Sequence, residues 1–423
     1  MHIKSFYKRL KKDLVSMNNV LPKPRICMIS FSEYSSDIRV RREAEALYNN
    51  GFDVDVISLP NDTSNTQYKL NDVNIIPITN IRFFSHRGNP LKFLIGYLLF
   101  GLTFFFKLFR LNKSHRYNII HVHNPPDPFV FFAFPLKILF KIKIVLDRHE
   151  PLYLGVKSLF GTKSNSFIIN LIKLIENISF KLSDKIIVIN RIEFLDVKNR
   201  GINEDRIAIV TNTLDESRIE IDPNTLLDRK SLLTKVEENT FVILYQGLIA
   251  LERDLDTLLE AVKKIVTKNK KTYLKVVVCG AGPYLSELIK YVQKNELESF
   301  FEIKGKIEFN ELVKYMKIAD LGLVLAKDNE FYNRYSPNKI FEYLYFNKLV
   351  IVPKLALLYS IAKDACFFYK PSNADELALR ITEIMENYGQ LYSDKSENMK
   401  KFYNENSWDN VKKNLINCYK ELM

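Results

Sequence analysis

Short apolar runs alternate with helical patterns along most of this chain, and the alternation begins twice. The first series opens with the run RICMIS at residue 25, passes into a helical pattern over residues 37–50 that Gly51 ends, and returns to the run FDVDVISL. The second series opens with FVILYQG after a polar stretch near residues 216–238. Apolar runs that alternate with helices predict a parallel sheet covered by helices on both faces. The sequence therefore predicts an α/β protein with two doubly wound domains that face each other across a cleft.

The same pattern predicts where the domains begin and end. Because ligands of doubly wound sheets bind at the carboxyl ends of the strands, the loops after the strands are where a site is expected. Further strands of the first domain are predicted at residues 118–121, 143–147, 185–189 and 207–210. We predict an amino-terminal segment over 1–23, a first domain over 24–215, a linker over 216–238, a second domain over 239–392 and a closing segment over 393–423.

The net positive charge of the chain is concentrated in its first half. Residues 1–215 hold 31 Lys and Arg against 19 Asp and Glu, whereas residues 216–423 hold 31 against 30, so the first half carries nearly all of the net charge of +13. Residues 1–18 have the spacing of a basic amphipathic helix, and residues 93–106 are uncharged and apolar between two lysines. The second stretch is shorter than the roughly 20 residues that span a bilayer. It is therefore either a buried core helix or a helix on a membrane surface.

Charge and apolar segments together predict a partner for the first domain. Arg82, Arg87 and Arg110 are among the cations around residues 93–106, and cations around an apolar helix favour contact with an anionic membrane surface. A merely soluble, lysine-rich surface is the alternative. Nucleic acid is not expected, since no recognition motif accompanies the charge.

Cysteines and histidines give little sign of a metal site. The four cysteines lie far apart and without CxxC spacing, which suits a reducing compartment and argues against structural zinc. The amino terminus lacks the apolar core of a secretory signal. His121 and His123 in HVHNPPD suggest a metal, but without a third ligand they are predicted to be hydrogen-bonding loop residues. We expect a cytoplasmic protein with neither a metal nor a bound cofactor.

The segment YSPNKIFEYLYFNKLVIV, which begins at Tyr335, has the features of an anion site. Ser336 is suited to cap a helix and Pro337 to be its first residue, so that free backbone amides would attract phosphate. Lys339 adds a full positive charge in the first turn. Glu342, one turn on, is placed to accept hydrogen bonds from the two hydroxyls of a ribose. The segment predicts a nucleoside diphosphate site, and the alternative is a surface helix with an ordinary Lys339–Glu342 pair.

SPNKIFEYL followed by LVIVP, and preceded by IADLGLVLA, resembles the donor-binding segment of the family-4 retaining glycosyltransferases. Several other blocks occur in the order of that family. They are DIRVRREAEALYNNGFDVDVISL, IIHVHNPPD, VLDRHE, SDKIIVIN, IVTNTLD, YQGLIALERDLDTLLEAV, VVVCGAGP and NSWDNVKKNLINCYKEL. The resemblance implies the GT-B fold, with two Rossmann-like domains, and a closing helix that crosses back to the first domain.

The resemblance also implies roles for individual residues. Glu342 matches the second glutamate of a Glu-x7-Glu pair and would bind the ribose, while Arg334 stands where the first glutamate is expected. Arg253 falls where the family has a cation for the diphosphate, and Lys339 would add a second. His149 would face the donor sugar as a positioning group, or it is a structural histidine beside Asp147. Catalytic roles therefore go to His149, Arg253 and Lys339, donor binding to Gly247, Gly280, Gly282, Ser336, Pro337, Asn338 and Glu342, and the acceptor side to Asp147, Glu150 and Arg39.

Two of these assignments have simpler alternatives. Gly280 and Gly282 would let the backbone approach the ligand, although a tight turn explains them equally well. Arg39 would meet a phosphorylated acceptor, although a solvated helix face is the commoner outcome for its run of arginines.

The implied reaction is the transfer of a hexosyl or N-acetylhexosaminyl group from a nucleotide-diphosphate sugar to a lipid-linked saccharide acceptor, with retention, in surface polysaccharide or glycan assembly. Fixed cations would stabilise the leaving diphosphate without a metal. The enzyme would act as a peripheral protein on the cytoplasmic face of the membrane. A nucleotide-sugar epimerase of the same fold and a non-enzymatic two-domain sugar-binding protein are the alternatives.

Overall fold

The protein is described by a computed structural model over residues 23–61, 66–79, 90–160, 166–222, 225, 227–234, 236–269 and 272–423. The basic helix predicted over residues 1–18 lies outside the described residues, and so do Arg82 and Arg87. The chain divides into two compact units. Unit 1 comprises the chain up to Val188, Val197–Ala208 and Leu415–Met423, and unit 2 comprises Ile189–Asp196 and Ile209–Asn414.

In the described part of unit 1, eight strands form one sheet in the order β3-β4-β2-β1-β5-β6-β7-β8. The β1–β2, β1–β5, β5–β6 and β6–β7 pairs are parallel. The sequence pattern did not predict β3 and β4, which form an antiparallel pair at the edge. The strands are β1 (Arg25–Glu33), β2 (Asp53–Leu59), β3 (Tyr68–Leu70), β4 (Val73–Pro77), β5 (Ile119–His123), β6 (Lys143–Arg148), β7 (Lys185–Val188) and β8 (Ile207–Ile209).

Helices cover this sheet, which is why its central strands are buried on both faces. The helix predicted over residues 37–50 is confirmed as α1 (Ile38–Asn49), and the Asp37 side chain caps it by accepting a hydrogen bond from Val40 N at 3.2 Å. The helices that follow are α2 (Pro90–His115), α3 (Phe129–Phe140), α4 (Leu152–Phe160), α5 (Ser166–Leu182) and α6 (Arg191–Asn199), and a 3₁₀ turn lies at Glu204–Arg206.

The apolar stretch over residues 93–106 belongs to α2, which has 26 residues. Leu94–His115 is long and apolar enough to cross a membrane, by length and composition alone. However, Phe100, Phe104 and Leu108, spaced four apart, are fully buried, and the Phe100 and Phe129 rings lie 5.2 Å apart. The opposite side of α2 is exposed. The sequence left two alternatives open, a buried core helix and a helix on a membrane surface. One face of α2 is buried as in a core helix, and the other face is exposed and could contact a membrane.

In the described part of unit 2, six strands form a sheet in the order β11-β10-β9-β12-β13-β14, and all five pairs are parallel. Its strands are β9 (Phe241–Gln246), β10 (Leu274–Cys279), β11 (Phe301–Gly305), β12 (Leu321–Leu323), β13 (Leu349–Pro353) and β14 (Phe367–Tyr369). Its helices are α7 (Arg229–Leu232), α8 (Leu255–Lys268), α9 (Leu285–Lys294), α10 (Phe309–Ile318), α11 (Asn338–Tyr345), α12 (Ala356–Ala362), α13 (Ala374–Glu386) and α14 (Tyr388–Glu405), with 3₁₀ turns at Glu216–Arg218, Leu251–Arg253 and Tyr332–Arg334. The last helix is α15 (Trp408–Lys420), whose end groups with unit 1.

Each sheet has one place where the chain reverses its direction of travel across the strands. In unit 2 the order β9-β10-β11 runs one way and β12-β13-β14 the other, so the reversal lies between β9 and β12. In unit 1 it lies between β1 and β5. Loops at the carboxyl ends of strands diverge at such a point and leave room for a ligand. The topology thus predicts ligand sites at the carboxyl ends of β9 and β12 in one unit and of β1, β5 and β6 in the other.

Candidate functional site

Helix α11 begins beside the end of β9, one residue later than the sequence predicts. Pro337, with ψ of 132°, occupies the cap position that was expected for Ser336, and Asn338 is the first helical residue. No side chain in the described part of the chain caps the helix, so its first amides keep their capacity for an external acceptor. Among the described residues, the buried Ser336 Oγ and Asn338 Oδ1 have no hydrogen-bond partner. The amino end of α11 is thus a group of polar atoms suited to an anion.

Lys339 lies in the first turn of α11 with its side chain buried. Its Nζ donates a hydrogen bond to the carbonyl of Gln246 and lies 4.7 Å from the centre of the Tyr245 ring. A Cβ at Gly247 would lie 2.8 Å from Nζ, so glycine leaves the space that this side chain needs. Lys339 and Gly247, predicted separately, are therefore neighbours.

Glu342 lies one turn further along α11 and accepts a hydrogen bond from Gln246 Nε2 at 2.5 Å. Gln246 thus binds both charged residues of the helix, one through its carbonyl and one through its side chain. Sequence reasoning missed Gln246, although its place as the last residue of a strand before a glycine was visible. Its contacts fix where Lys339 and Glu342 lie relative to β9.

Burial shifts the protonation of both charged residues of α11. Burial first and the nearby charge of Arg253 second lower the pKa of Lys339 to about 7, against the opposing effect of Glu342. Burial likewise raises the pKa of Glu342, although Gln246 and Lys339 oppose the rise. In the ligand-free protein, Lys339 is therefore close to half-protonated at neutral pH. An anion beside it would favour the charged form.

Arg253 ends the 3₁₀ turn that follows β9. Its guanidinium lies 5.1 Å from the Tyr332 ring centre and 4.7 Å from that of Tyr335, while Nε and Nη1 have no hydrogen-bond partner among the described residues. The turn is anchored by Asp254, whose carboxylate accepts hydrogen bonds from Tyr369 OH at 3.0 Å and from a backbone amide at 2.9 Å. Aromatic faces hold the cation without neutralising it. The contact of these two tyrosines with Arg253 was not predicted, although Tyr335 adjoins the SPNK motif.

Gly280 and Gly282 lie in the loop after β10, which runs against the loop after β9. A Cβ at Gly280 would lie 1.8 Å from the carbonyl oxygen of Gly247, and one at Gly282 would lie 2.2 Å from that of Ile249. The Gly247 amide donates to the Cys279 carbonyl at 2.9 Å. Close packing of two backbones thus requires both glycines, and their contact with a ligand stays a prediction.

Arg334, which stands where the resemblance calls for a glutamate, is part of an ion pair. Its Nη1 lies 3.1 Å from Oε1 of Glu193, which is buried, and its carbonyl accepts a hydrogen bond from Asn190 Nδ2 at 3.0 Å. Both contacts hold the segment Ile189–Asp196 to the rest of unit 2.

In unit 1, Asp147 at the end of β6 is the centre of a buried network. Arg39 Nε and Nη2 donate to its two oxygens at 2.9 and 2.7 Å, and His123 Nδ1 and His149 Nε2 lie 3.1 and 2.8 Å from Oδ2. Arg39 is 8% exposed, so the solvated helix face that was the alternative for it is wrong. The structure therefore brings together three predicted residues, Arg39, Asp147 and His149.

Charge within this network decides which groups are ionised. Burial alone would raise the pKa of Asp147, but Arg39 and His149 more than offset this and hold it well below its usual range. Burial lowers the pKa of His149, yet the Asp147 carboxylate outweighs it, so the pKa ends above its usual value. Burial raises the pKa of Glu43 to about 7. Asp147 is therefore the resident anion, and Arg39 and His149 are its partners.

The sequence predicted His121 and His123 to be loop residues, and this is wrong. Both lie on β5, with their rings stacked 4.0 Å apart. Both are buried, and Tyr419 from α15 contacts His121 Nδ1. Together with Glu43 and Asp147 they offer ligand atoms within 4.8 Å of one another. Arg39 Nη2 lies 3.2 Å from Glu43 Oε1 as well as beside Asp147, so a positive charge already occupies this position. The expectation of no metal stays a prediction.

The loop that carries His149 and Glu150 is held by Asn124, which follows β5. Asn124 Oδ1 accepts hydrogen bonds from the backbone amides of His149 and Glu150 at 3.1 and 3.2 Å, and its Nδ2 donates to Asp127 at 2.5 Å. Because one side chain takes up both amides, the direction of the loop is fixed. Asn124 belongs to the HVHNPPD motif, but its role in holding this loop was not predicted.

Comparison with known proteins gives matches on both halves of the chain. The model of the family described as "Glycosyltransferase Family 4" matches residues 37–218, and that described as "Glycosyl transferases group 1" matches residues 229–402. The protein named uncharacterized glycosyltransferase MJ1607, of Methanocaldococcus jannaschii, is 23% identical over 393 residues, which cover 90% of this chain and 92% of that protein.

Solved structures share the fold. A glycosyltransferase from Rickettsia africae ESF-5 has a TM-score of 0.67 at 17% identity, covering 95% of this chain and 99% of its own. Anabaena Alr3699/HepE in complex with UDP has a TM-score of 0.67 at 14% identity, covering 94% of this chain and 99% of its own. The prediction of a GT-B fold with two Rossmann-like domains is confirmed. With one glycosyltransferase family model matched on each half, the chain is a glycosyltransferase, and its first half is similar to family 4.

Proposed function

We propose that unit 2 binds a nucleotide-diphosphate sugar at the amino end of α11. The observation that carries this proposal is the convergence of Arg253, Lys339 and the uncapped helix on the end of β9, with Glu342 one turn away. Two cations and a helix amino terminus suit a diphosphate, and a carboxylate at that distance suits a ribose. The Anabaena structures, which hold UDP, UDP with glucose, and UDP-glucose, support the same class of donor.

The proposed reaction retains the configuration of the sugar. The acceptor hydroxyl oxygen forms a bond to the anomeric carbon while the bond from that carbon to the diphosphate oxygen breaks, and the hydroxyl proton passes to the departing diphosphate. Negative charge then grows on the leaving group, beside Arg253 and Lys339, which lower the barrier by binding the transition state more strongly than the ground state. No protein nucleophile is part of this scheme, and His149 has a positioning role.

For the acceptor we propose a lipid-linked saccharide or polyprenyl diphosphate in surface polysaccharide or glycan assembly, bound by unit 1. The excess of basic residues in the first half of the chain supports an anionic, membrane-borne acceptor. The four cysteines are free and buried, which suits a reducing compartment and the cytoplasmic face of the membrane.

A panel of nucleotide sugars tests the proposal most directly. Purified enzyme is incubated with each donor, with and without a lipid extract, and release of the free nucleoside diphosphate is measured together with incorporation of sugar into lipid. We expect one donor to give release that depends on the extract. An epimerised sugar nucleotide formed without any acceptor would favour the epimerase alternative, and binding without turnover would favour a sugar-binding protein.

Replacement of Glu342 with alanine is expected to weaken UDP binding about 10- to 100-fold, because hydrogen bonds to a charged group contribute about 1.5–3 kcal/mol. Isothermal titration calorimetry measures the dissociation constant. Glu311→Ala is the matched control, since Glu311 lies on α10 of the same unit and pairs with Lys314 at the surface. Equal affinity of the Glu342 variant and the wild type would remove this residue from the site.

UDP affinity is expected to fall as pH rises above about 7. The pKa of Lys339 is about 7 in the ligand-free protein, and only its protonated form attracts the diphosphate. For one required proton the affinity falls about tenfold for each pH unit above that pKa. Titrations between about pH 6 and pH 9 in buffers of different ionisation enthalpy measure the fall and the accompanying proton uptake. Lys339→Met should bind weakly and without this pH dependence; an unchanged profile would contradict the assignment.

A further inference from the structure

Three helices of unit 1 lie side by side on one face of its sheet. The connections β4–β5, β5–β6 and β6–β7 all step across the sheet in the same direction. Since such crossovers are right-handed, their helices α2, α3 and α5 must lie on the same side. Accordingly, α2 contacts α3, and α3 contacts α5. We call the outward side of these helices the three-helix face.

The three-helix face is strongly apolar. Helix α5 exposes Phe167, which is 71% accessible, and further apolar side chains at steps of three and four, while its Ser179 and Phe180 are buried inward. A helix that exposes an apolar row of this length is normally covered by a partner. The exposed apolar residues of the face are Leu94, Ile95, Leu98, Leu102 and Phe106 on α2, Ile138, Leu139 and Phe140 on α3, and Phe167, Ile168, Leu171, Leu174 and Ile178 on α5.

The charged residues of the helices that form and flank this face are almost all basic, although Lys137 pairs with Asp184 at 2.8 Å. The described helices α2, α3, α4 and α5 contain a single acidic residue, Glu176, which is fully buried and pairs with Arg200 at 2.7 Å. Their cations are Lys92, Lys107, Arg110, Lys113, Lys137, Lys157, Lys173 and Lys181. The face therefore offers apolar and positive groups but no exposed carboxylate on these four helices.

We propose that the three-helix face docks on an anionic lipid bilayer, with its helices lying in the interface. Apolar side chains would enter the boundary of headgroups and acyl chains, and the lysines and arginines would bind lipid phosphates. Helix α2 does not leave the fold to span the bilayer, because Phe100 and Phe104 are held in the core. A second copy of this chain fits the face poorly, since a twofold contact would bring one basic face against another. This inference rests on the proposed lipid-linked acceptor, and it identifies the surface of unit 1 that would contact the membrane holding that acceptor.

Flotation with lipid vesicles tests the docking. The triple variant Leu98→Gln, Leu139→Gln and Leu174→Gln should bind vesicles of phosphatidylglycerol at least tenfold more weakly than the wild type, since each leucine loses burial of apolar area. The matched control is Leu379→Gln, which alters an equally exposed leucine on α13 of unit 2. Wild-type binding should fall with added salt and on pure phosphatidylcholine. UDP affinity should stay unchanged in both variants, so failure of docking is separable from failure of the donor site.

A labelling experiment avoids any effect of the triple variant on folding. All four native cysteines are buried, and burial raises the pKa of Cys279, Cys366 and Cys418 to about 12, so an introduced surface cysteine is labelled selectively. An environment-sensitive fluorophore at Leu98→Cys or Leu174→Cys should shift to the blue on adding anionic vesicles, whereas one at Leu379→Cys should not. Equal shifts at all three, no shift at the first two, or a vesicle-independent dimer that the triple variant disrupts would each overturn the proposal.

Discussion

Replacing Arg253 with methionine is expected to lower kcat about 10²- to 10³-fold, which is the usual cost of removing one group that stabilises charge in a transition state. Nε and Nη1 of Arg253 have no hydrogen-bond partner among the described residues, and two tyrosine rings flank the guanidinium. The cation is therefore held in position before a diphosphate arrives. Methionine keeps an unbranched apolar side chain and removes the guanidinium with its charge and its donors. Initial rates of nucleoside diphosphate release, with the donor found by the panel, measure the effect.

Arg229→Met is the matched control for this prediction. Arg229 also belongs to unit 2, but it pairs with Asp320 at 2.6 Å and donates to the Thr240 carbonyl just before β9, at the opposite end of that strand. The kcat of the Arg229→Met variant should stay within about twofold of the wild type, because Arg229 lies at the far end of β9 from the proposed diphosphate site and does not contact the leaving group. Arg253→Lys should recover part of the loss as a point charge without the planar fork. A wild-type kcat for Arg253→Met would show that Arg253 does not stabilise the leaving group.

The fold was predictable from sequence because period and order are local features. Strands such as β9 and β10 are mostly apolar runs, and each is followed by an amphipathic helix. The β3–β4 pair escaped because it is a short edge hairpin, with only three residues in β3. The start of α11 was one residue out, since Ser336 has the better capping side chain but the extended backbone of Pro337 decides the boundary.

The candidate site divides in the same way. Lys339 and Glu342 lie on one helix, so their relation follows from spacing alone. Gln246, which holds both, lies more than ninety residues earlier. The pairing of Arg39 with Asp147 joins residues 108 apart in the chain. Spacing rules cannot specify such contacts, because they depend on which strands become neighbours.

Asp147→Asn is expected to destabilise the protein by about 3–5 kcal/mol, because it leaves Arg39 buried without its bidentate partner. Asp147 is fully buried, and Arg39 is 8% exposed. Urea unfolding followed by circular dichroism measures the loss. The folded-state pKa of Asp147 lies well below its usual range, so its stabilising effect is complete above the unfolded pKa of about 3.9 and disappears only as pH falls through the folded value. The difference between wild type and variant should therefore persist at mildly acid pH.

Asp55→Asn separates this ion pair from ordinary burial of a carboxylate. Asp55 is buried in the same sheet, its oxygens accept hydrogen bonds from Tyr117 OH and Asn74 Nδ2, and His115 Nδ1 lies 3.9 Å from Oδ2. It should cost only about 1–3 kcal/mol, the range for leaving a buried hydrogen-bonding group without its partner. In the Asp147 variant, Glu43 remains 3.2 Å from Arg39, so its pKa should fall from about 7 as it becomes the counter-ion. Adding Glu43→Gln to Asp147→Asn should then cost more than Glu43→Gln alone; simple additivity would mean that Arg39 does not depend on these carboxylates.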